Sequence, residues 1–369
     1  MMMSSAYKII TIYFIYLISG ITNNVTSFQK NFEFYWNIPS FMCHKYNINP
    51  ENITKQFGIK INENDSFRGD KIAILYDPGK FPAILKYANS EQQEYFYRNK
   101  GVPQEGNLTV HLTEFENHIN EFIPDKNFSG LAIIDFESWR PIYRQNFGTL
   151  KPYKELSIYL EKKLHPKWSM KKLEHEAKVR FEKAGRVFME ETILFAKRLR
   201  PYAKWGYYAF PYCFNGRDIN NPESCANGVT EENDNISWLF GNSDIILPSV
   251  YLNEDIPKSS RLPLVRGRVK EATRLANKFE DAVSKPLIYV YHRYVYTDSF
   301  EFLPELETFE MFSTIKSLNA DGVILWGSSN DLNSRMKCEK FIEYLKETLG
   351  PITSSLEGSF IVHHSRLTR

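Results

Sequence analysis

GLAIIDFE, residues 130 to 137, decides the fold. Four apolar side chains, Leu131 to Ile134, run without interruption into Asp135, and Glu137 follows one residue later. A short continuous apolar run reads as a strand buried on both faces, the kind found in parallel sheets. Its two terminal carboxylates stand at i and i+2, so an extended chain puts them on one face, about 7 Å apart. Working outward, the same pattern returns as FEFYWNIP (32–39), IAILYD (72–77), KWGYYAF (204–210), IILPSVYL (245–252), PLIYVYHRYVY (286–296) and DGVILWGS (321–328). Between two of these, residues 169 to 200 carry Leu173, Ala177, Phe181, Ala184 and Phe188 at helical spacing, and Pro201 stops the helix. Strand and helix alternating through the chain predict a parallel α/β fold. The first strand is followed by no Gly-rich phosphate loop, which favours a barrel over an open sheet. The expectation is an α/β, distorted TIM-like (β/α) barrel with seven strands.

The chain has 369 residues, 43% of them hydrophobic and 15% aromatic, enough for one large core. Lys and Arg number 46 against 44 Asp and Glu, a net charge of +2, so no global basic field exists. Nucleic acid is therefore not an expected partner, and a polyanion would have to be read by local arginines. Lys8 precedes the apolar run IITIYFIYLI (9–18), followed by Ser19 and Gly20. The run is too short to span a bilayer, whose core needs about 20 apolar residues, and reads as a cleaved signal peptide over 1–22 rather than an uncleaved anchor. A barrel domain over 23–350 and a polar, aperiodic, disordered tail over 351–369 complete the organisation. Stable membrane insertion is not expected, and the molecule is expected to be a monomer.

Cys43, Cys213, Cys225 and Cys338 are an even set in a chain bound for an oxidising compartment, with three pairings open on paper. Neither a CxxC pair nor HExxH occurs, so no metal site is expected. Asn52, Asn64, Asn107, Asn127 and Asn235 lie in N-x-[ST] sequons, as does Asn24, which signal cleavage threatens.

In a parallel barrel the site lies at the C-terminal ends of the strands. Asp135 and Glu137 there have a plain structural reading, ion pairs with Arg140 and Arg144. Their chemical reading is that close like charges raise one proton affinity, leaving one acid protonated to donate and the other ionised to steady a cation. That division of labour belongs to glycosidases. Tyr207, Tyr208, Ser249, Tyr251, Trp326, Ser328 and Ser329 end other strands and offer flat rings with polar tips, as a sugar site requires.

The segment IDFESWRPIYRQN (134–146) resembles the hyaluronidases (glycoside hydrolase family 56), particularly those of insect venoms, whose signature is an acid pair followed by Trp-Arg-Pro. The likeness continues through FYWNIPSFMC (34–43), GDKIAILYDPGKFPA (69–83), GVPQEGNLT (101–109), WGYYAFPYCFN (205–215), ILPSVY (246–251), GRVKEA (267–272) and GVILWGSSNDLNS (322–334). It implies a secreted endo-hydrolase of the β-1,4 bond between N-acetylglucosamine and glucuronate in hyaluronan, with chondroitin as a second substrate. Retention of configuration would come from attack by the substrate's own N-acetyl oxygen, with no metal or organic cofactor. It further implies Glu137 as proton donor, Asp135 holding the acetamido nitrogen, and Tyr208 and Tyr251 positioning the acetamido group. Trp326 would wall that pocket, and Tyr76, Arg140, Ser249, Arg268, Tyr291 and Ser328 would line the groove. The implied disulfides are Cys43 with Cys338 and Cys213 with Cys225, and the implied source is an extracellular secretion such as venom. Ser138 stands where insect relatives tend to carry arginine, and His292 and Arg293 where they place Tyr or Trp. The rival expectation is a catalytically impaired homologue that only binds glycosaminoglycan; retention of both acids speaks against it. Arg68-Gly69-Asp70 spells an integrin-like tripeptide that chance explains.

Overall fold

The computed structural model describes residues 31–87, 94–217, 221–280 and 285–357. The expected signal peptide and Asn24 lie outside the described residues. The strands are β1 (Glu33–Asn37), β2 (Ile72–Tyr76), β3 (Ala83–Lys86), β4 (Tyr95–Arg98), β5 (Leu131–Asp135), β6 (Lys204–Tyr207), β7 (Ile245–Ile246), β8 (Leu287–Arg293) and β9 (Gly322–Trp326). All but β3 and β4 run parallel, one inside each of the seven runs above, and they follow each other in chain order around a barrel. The helices are α1 (Glu51–Gln56), α2 (Leu108–Phe122), α3 (Lys151–Leu164), α4 (Met170–Leu199), α5 (Val229–Asn235), α6 (Ser237–Asn242), α7 (Lys258–Asn277), α8 (Glu305–Ser317), α9 (Arg335–Tyr344) and α10 (Gly350–Glu357).

The two-residue period of a strand sorts the barrel's side chains into two cores. Ile74, Ile133, Leu247, Tyr289 and Ile324 fill the lumen. Their neighbours Ala73, Leu75, Ala132, Ile134, Val290 and Val323 face outward into the larger core beneath the helices. Continuous apolar runs follow directly, since both faces of every strand are covered.

The ladders are β2-β5-β6 and β7-β8-β9-β1, and a bridge between Tyr208 and Leu247 joins β6 to β7. No ladder joins β1 to β2 among the described residues. At that seam Lys60 lies beside β1, its N–H donating to Phe34 O at 2.8 Å and its carbonyl accepting from Trp36 N–H at 2.9 Å. Asn62, wholly buried, then uses its side-chain amide as a substitute strand. Its Nδ2 donates to Ile72 O at 2.9 Å, and its Oδ1 accepts from the N–H groups of Lys71 and Ile72 at 2.8 and 2.9 Å.

Helix α4 begins and ends within one residue of the expected 169–200. It buries Leu173, Ala177, Phe181, Phe188 and Ile193 along one face. Gly185 rather than Ala184 is fully buried there, because a Cβ at 185 would come within 3.2 Å of the Trp139 ring. Phe181 packs edge-on to both Trp139 and Tyr143, and truncating it to alanine would cost about 3–5 kcal/mol.

Both implied disulfides are present, Cys43–Cys338 and Cys213–Cys225. The expected disordered tail needs correcting over its first part, since residues 351 to 357 belong to α10, where Ile352 and Thr353 are buried. Residues 358–369 lie outside the described residues. Among the described residues, no helix is long and apolar enough to cross a membrane.

Candidate active site

Strand alternation carries Asp135 to the lumen side at the mouth of the barrel, with Tyr76 beside it in register on β2. The chain beyond β5 keeps the alternation long enough for Phe136 to bury outward and Glu137 to emerge exposed in the cleft. Around this pair stand Tyr208 just past β6, Ser249 and Tyr251 past β7, Tyr291 on β8 and Trp326 at the end of β9. The rings support each other. Tyr251 stacks on Trp326 with centroids 5.5 Å apart, Tyr208 meets Tyr291 edge-on at 4.9 Å, and Trp326 Nε1–H donates to the Tyr76 hydroxyl at 3.0 Å. Ser249 Oγ lies 3.5 Å from the Tyr208 hydroxyl. Burial raises the pKa of Tyr208 and Tyr251, so both hydroxyls stay protonated and able to donate.

Neither acid accepts a protein hydrogen bond among the described residues, and that governs their protonation. Burial, then the charges of Glu137 and Asp77, push Asp135 up to about 8. Burial also raises Glu137, against the pull of the Arg140 guanidinium. The ion pairs offered by the plain structural reading do not form. Arg140 instead donates to Gln145 O at 2.7 Å and sits over the rings of Phe147, Tyr212 and Phe214 at 4.6 to 5.4 Å. Arg144 pairs with Glu232. Asp135 is thus the more reluctant of the two to ionise, whereas the sequence reading gives the donated proton to Glu137. The environment of Asp135 is the drier, and two other carboxylates face it.

Three hollows of about 270, 360 and 630 Å³ meet at Arg268, which reaches in from α7. The smallest holds Glu137, Tyr208, Tyr212 and Ser249. Arg268 donates to Ser249 O at 2.8 Å and Asn215 Oδ1 at 3.0 Å, and burial lowers its pKa to about 10, leaving it a cation at neutral pH.

Two expected lining residues have other duties. Tyr291 is wholly buried behind Tyr208, its hydroxyl 3.3 Å from Asn37 Oδ1. Ser328 caps the turn that follows, accepting from Asn330 N–H while its own N–H donates to Asp331. Asp331 also takes the buried Arg293, whose guanidinium lies 5.5 Å from the Trp326 ring. His292 points the other way, edge-on to Phe312 under α8. Ser138 neighbours the Tyr153 hydroxyl, which accepts from Ile84 N–H on β3. Asp77, last residue of the IAILYD run, obeys the same strand-end rule and joins the site, held bidentately by Arg98 of β4. Of the Arg-Gly-Asp segment Asp70 is exposed, but Arg68 lies over the Phe122 ring at 4.4 Å and donates to Ile74 O. The five sequon asparagines at 52, 64, 107, 127 and 235 are all exposed.

Residues 22–359 match the family model described as hyaluronidase, glycoside hydrolase family 56. A hyaluronidase of Tabanus yao is 50% identical over 331 residues, covering 90% of this chain and 94% of that protein. One of Apis mellifera is 48% identical over 329 residues, covering 89% and 85%. The crystal structure of bee venom hyaluronidase in complex with a hyaluronic acid tetramer superposes with a TM-score of 0.84 at 48% identity, over 88% of this chain and 99% of that one.

Proposed function

The chain belongs to the hyaluronidase family of glycoside hydrolases, and we propose on that premise that it hydrolyses hyaluronan at the β-1,4 bond between N-acetylglucosamine and glucuronate. One observation carries the proposal: two carboxyls without protein partners stand at the barrel mouth within a wall of Tyr208, Tyr251 and Trp326. A carboxyl that the protein leaves unsatisfied is available to the substrate.

Glu137, the exposed member, donates its proton to the departing glycosidic oxygen and later draws one from water. The N-acetyl oxygen of the substrate closes on the anomeric carbon, forming a cyclic oxazolinium as the C–O bond breaks. Water then reopens the ring, so configuration is retained. Asp135 accepts the acetamido N–H and balances the charge that develops on the ring. Burial and the neighbouring carboxylates push Asp135 up to about 8; an acetamido N–H donated to it favours its ionised form and leaves the pair's remaining proton on Glu137. Tyr208 and Tyr251 donate toward the acetamido oxygen, and Trp326 gives the methyl group an apolar wall. Arg268 offers a dry cationic fork to a uronate carboxylate. Two disulfides and the venom relatives support action outside the cell.

The test is size analysis of hyaluronan incubated with the secreted protein and with Glu137→Gln. Shortening by the wild type alone, to even-numbered oligosaccharides ending in N-acetylglucosamine, is expected. Intact hyaluronan with both proteins, across acid to neutral pH, overturns the proposal; cleavage of chondroitin alone would reassign its substrate.

A further inference from the structure

Helix α4 is 30 residues long, far more than the barrel wall requires. Its C-terminal end leads into the start of β6, where Lys204 N–H bonds to Gly130 O at the bottom of the barrel. By Gly185 it has reached Trp139 and Pro141, beyond the upper end of β5. From there to Met170 it climbs a further 22 Å or so, at about 1.5 Å per residue. Helix α3 runs antiparallel beside it, tied by the Glu161–Arg180 ion pair. The α3–α4 hairpin therefore stands past the rim on the same side of the barrel as the cleft.

Its tip reads KKLHPKWSMKK, residues 162 to 172, five lysines with no Asp or Glu. All five are exposed, and none has a carboxylate partner among the described residues. Among other surface lysines, Lys55, Lys60, Lys71, Lys197, Lys270 and Lys278 each meet an acid, and among the described residues nowhere in the tip does one do so. Two of the tip lysines instead cover aromatic rings, Lys172 over Trp168 at 3.8 Å and Lys163 over Tyr159 at 4.6 Å. Leu164 and Met170 are exposed beside them, 60% and 59%. A charge excess concentrated in eleven residues of a chain with a net charge of +2 is a local field.

We propose that the α3–α4 tip is a second binding site for the uronate-bearing polymer, holding a stretch of the chain remote from the bond being cut. Lysines without carboxylate partners match regularly spaced carboxylates, and the exposed Tyr159, Leu164 and Met170 offer apolar surface to the sugars. Only a chain long enough to reach from the cleft to the tip would occupy both sites. Occupying both sites raises the local concentration of substrate at the cleft without altering the chemistry there. The proposal rests on the hyaluronan-cleaving function above.

The experiment uses the full secreted chain with Lys163→Glu, Lys167→Glu and Lys171→Glu combined, and a milder triple alanine variant. On high-molecular-weight hyaluronan at low ionic strength, KM is expected to rise about tenfold for the first and less for the second, with kcat unchanged; the gap closes in high salt. On a hexasaccharide, both variants should match the wild type. In a Glu137→Gln background, binding to immobilised polymer should weaken by the same factor, which reads the tip without relying on catalysis. Equal polymer affinity with and without the tip lysines overturns this inference even if cleavage proceeds. So does loss of binding to anionic lipid vesicles with polymer binding intact. A wild type that binds polymer through the tip and never cuts it overturns the proposed function and leaves the tip site standing.

Discussion

The two ends of the barrel lumen use the same residue types to opposite effect. At the lower end Glu33 is half-buried, and burial alone would raise its pKa; instead it ends below the usual carboxylate range. Lys60 and the hydroxyls of Tyr289, at 2.7 Å, and Tyr35, at 3.2 Å, all donate to it. At the upper end Asp135 has tyrosines and arginines nearby, yet none donates to it, and its pKa climbs to about 8. One carboxylate is consumed by the fold, while the other is left with capacity for something that is not protein. The difference is supplied by partners rather than by burial, which works in the same direction at both ends.

The largest expected effect comes from Glu137→Gln, which should lower kcat on hyaluronan by about 10²–10⁴-fold, with melting temperature nearly unchanged. A mutant retaining most activity would remove the proton-donor role. Asp135→Asn should also cripple turnover, but its stability signature is the sharper discriminator. Asp135 is protonated more readily in the folded chain than at its ordinary 3.8, so folded protein holds the extra proton between about pH 4 and 8 and loses stability as pH rises through that window. The asparagine variant should therefore be more stable than wild type at pH 8 by about 1–3 kcal/mol, discounted for partial exposure, and converge with it near pH 4. Thermal melts across pH would show this; a variant less stable at pH 8 would mean that Asp135 is structurally satisfied after all.

Glu33→Gln should behave inversely, leaving kcat/KM within about twofold while costing roughly 1–2 kcal/mol near neutrality. Because the folded pKa of Glu33 is lowered, its contribution is present above its ordinary value and fades in acid, so this deficit should shrink as pH falls. The smallest contrast lies on a single strand. Tyr289→Phe removes a 2.7 Å bond to a carboxylate and should cost about 1.5 kcal/mol, whereas Tyr291→Phe removes a 3.3 Å bond to an amide and should cost about 0.5–1 kcal/mol by denaturant titration.

Where burial runs both ways through a strand, the sequence announces it, and so the seven barrel strands and α4 were legible within a few residues. The acid pair was legible for the same reason, because i and i+2 share a face. The β3–β4 hairpin was not, since Tyr95, Phe96 and Tyr97 are all exposed and no buried face marks the period. Helix α10 was hidden by its small polar residues, of which Thr353 is buried with its hydroxyl donating to Gly350 O, a local bond no hydrophobic pattern announces. Asn62 escaped for a deeper reason: an amide that replaces a missing strand looks in sequence like any loop asparagine. The order of proton affinity in the acid pair was also beyond the sequence, for it depends on Asp77 arriving from β2 and on which acid the walls enclose.

The Cys43–Cys338 bridge spans 295 residues and makes most of the chain a closed ring. A protease that severs one peptide bond anywhere within that ring opens it without dividing it. Such a nicked molecule would migrate whole until reduced, so a single cut in an exposed loop leaves the barrel's first and last strands still fastened to each other.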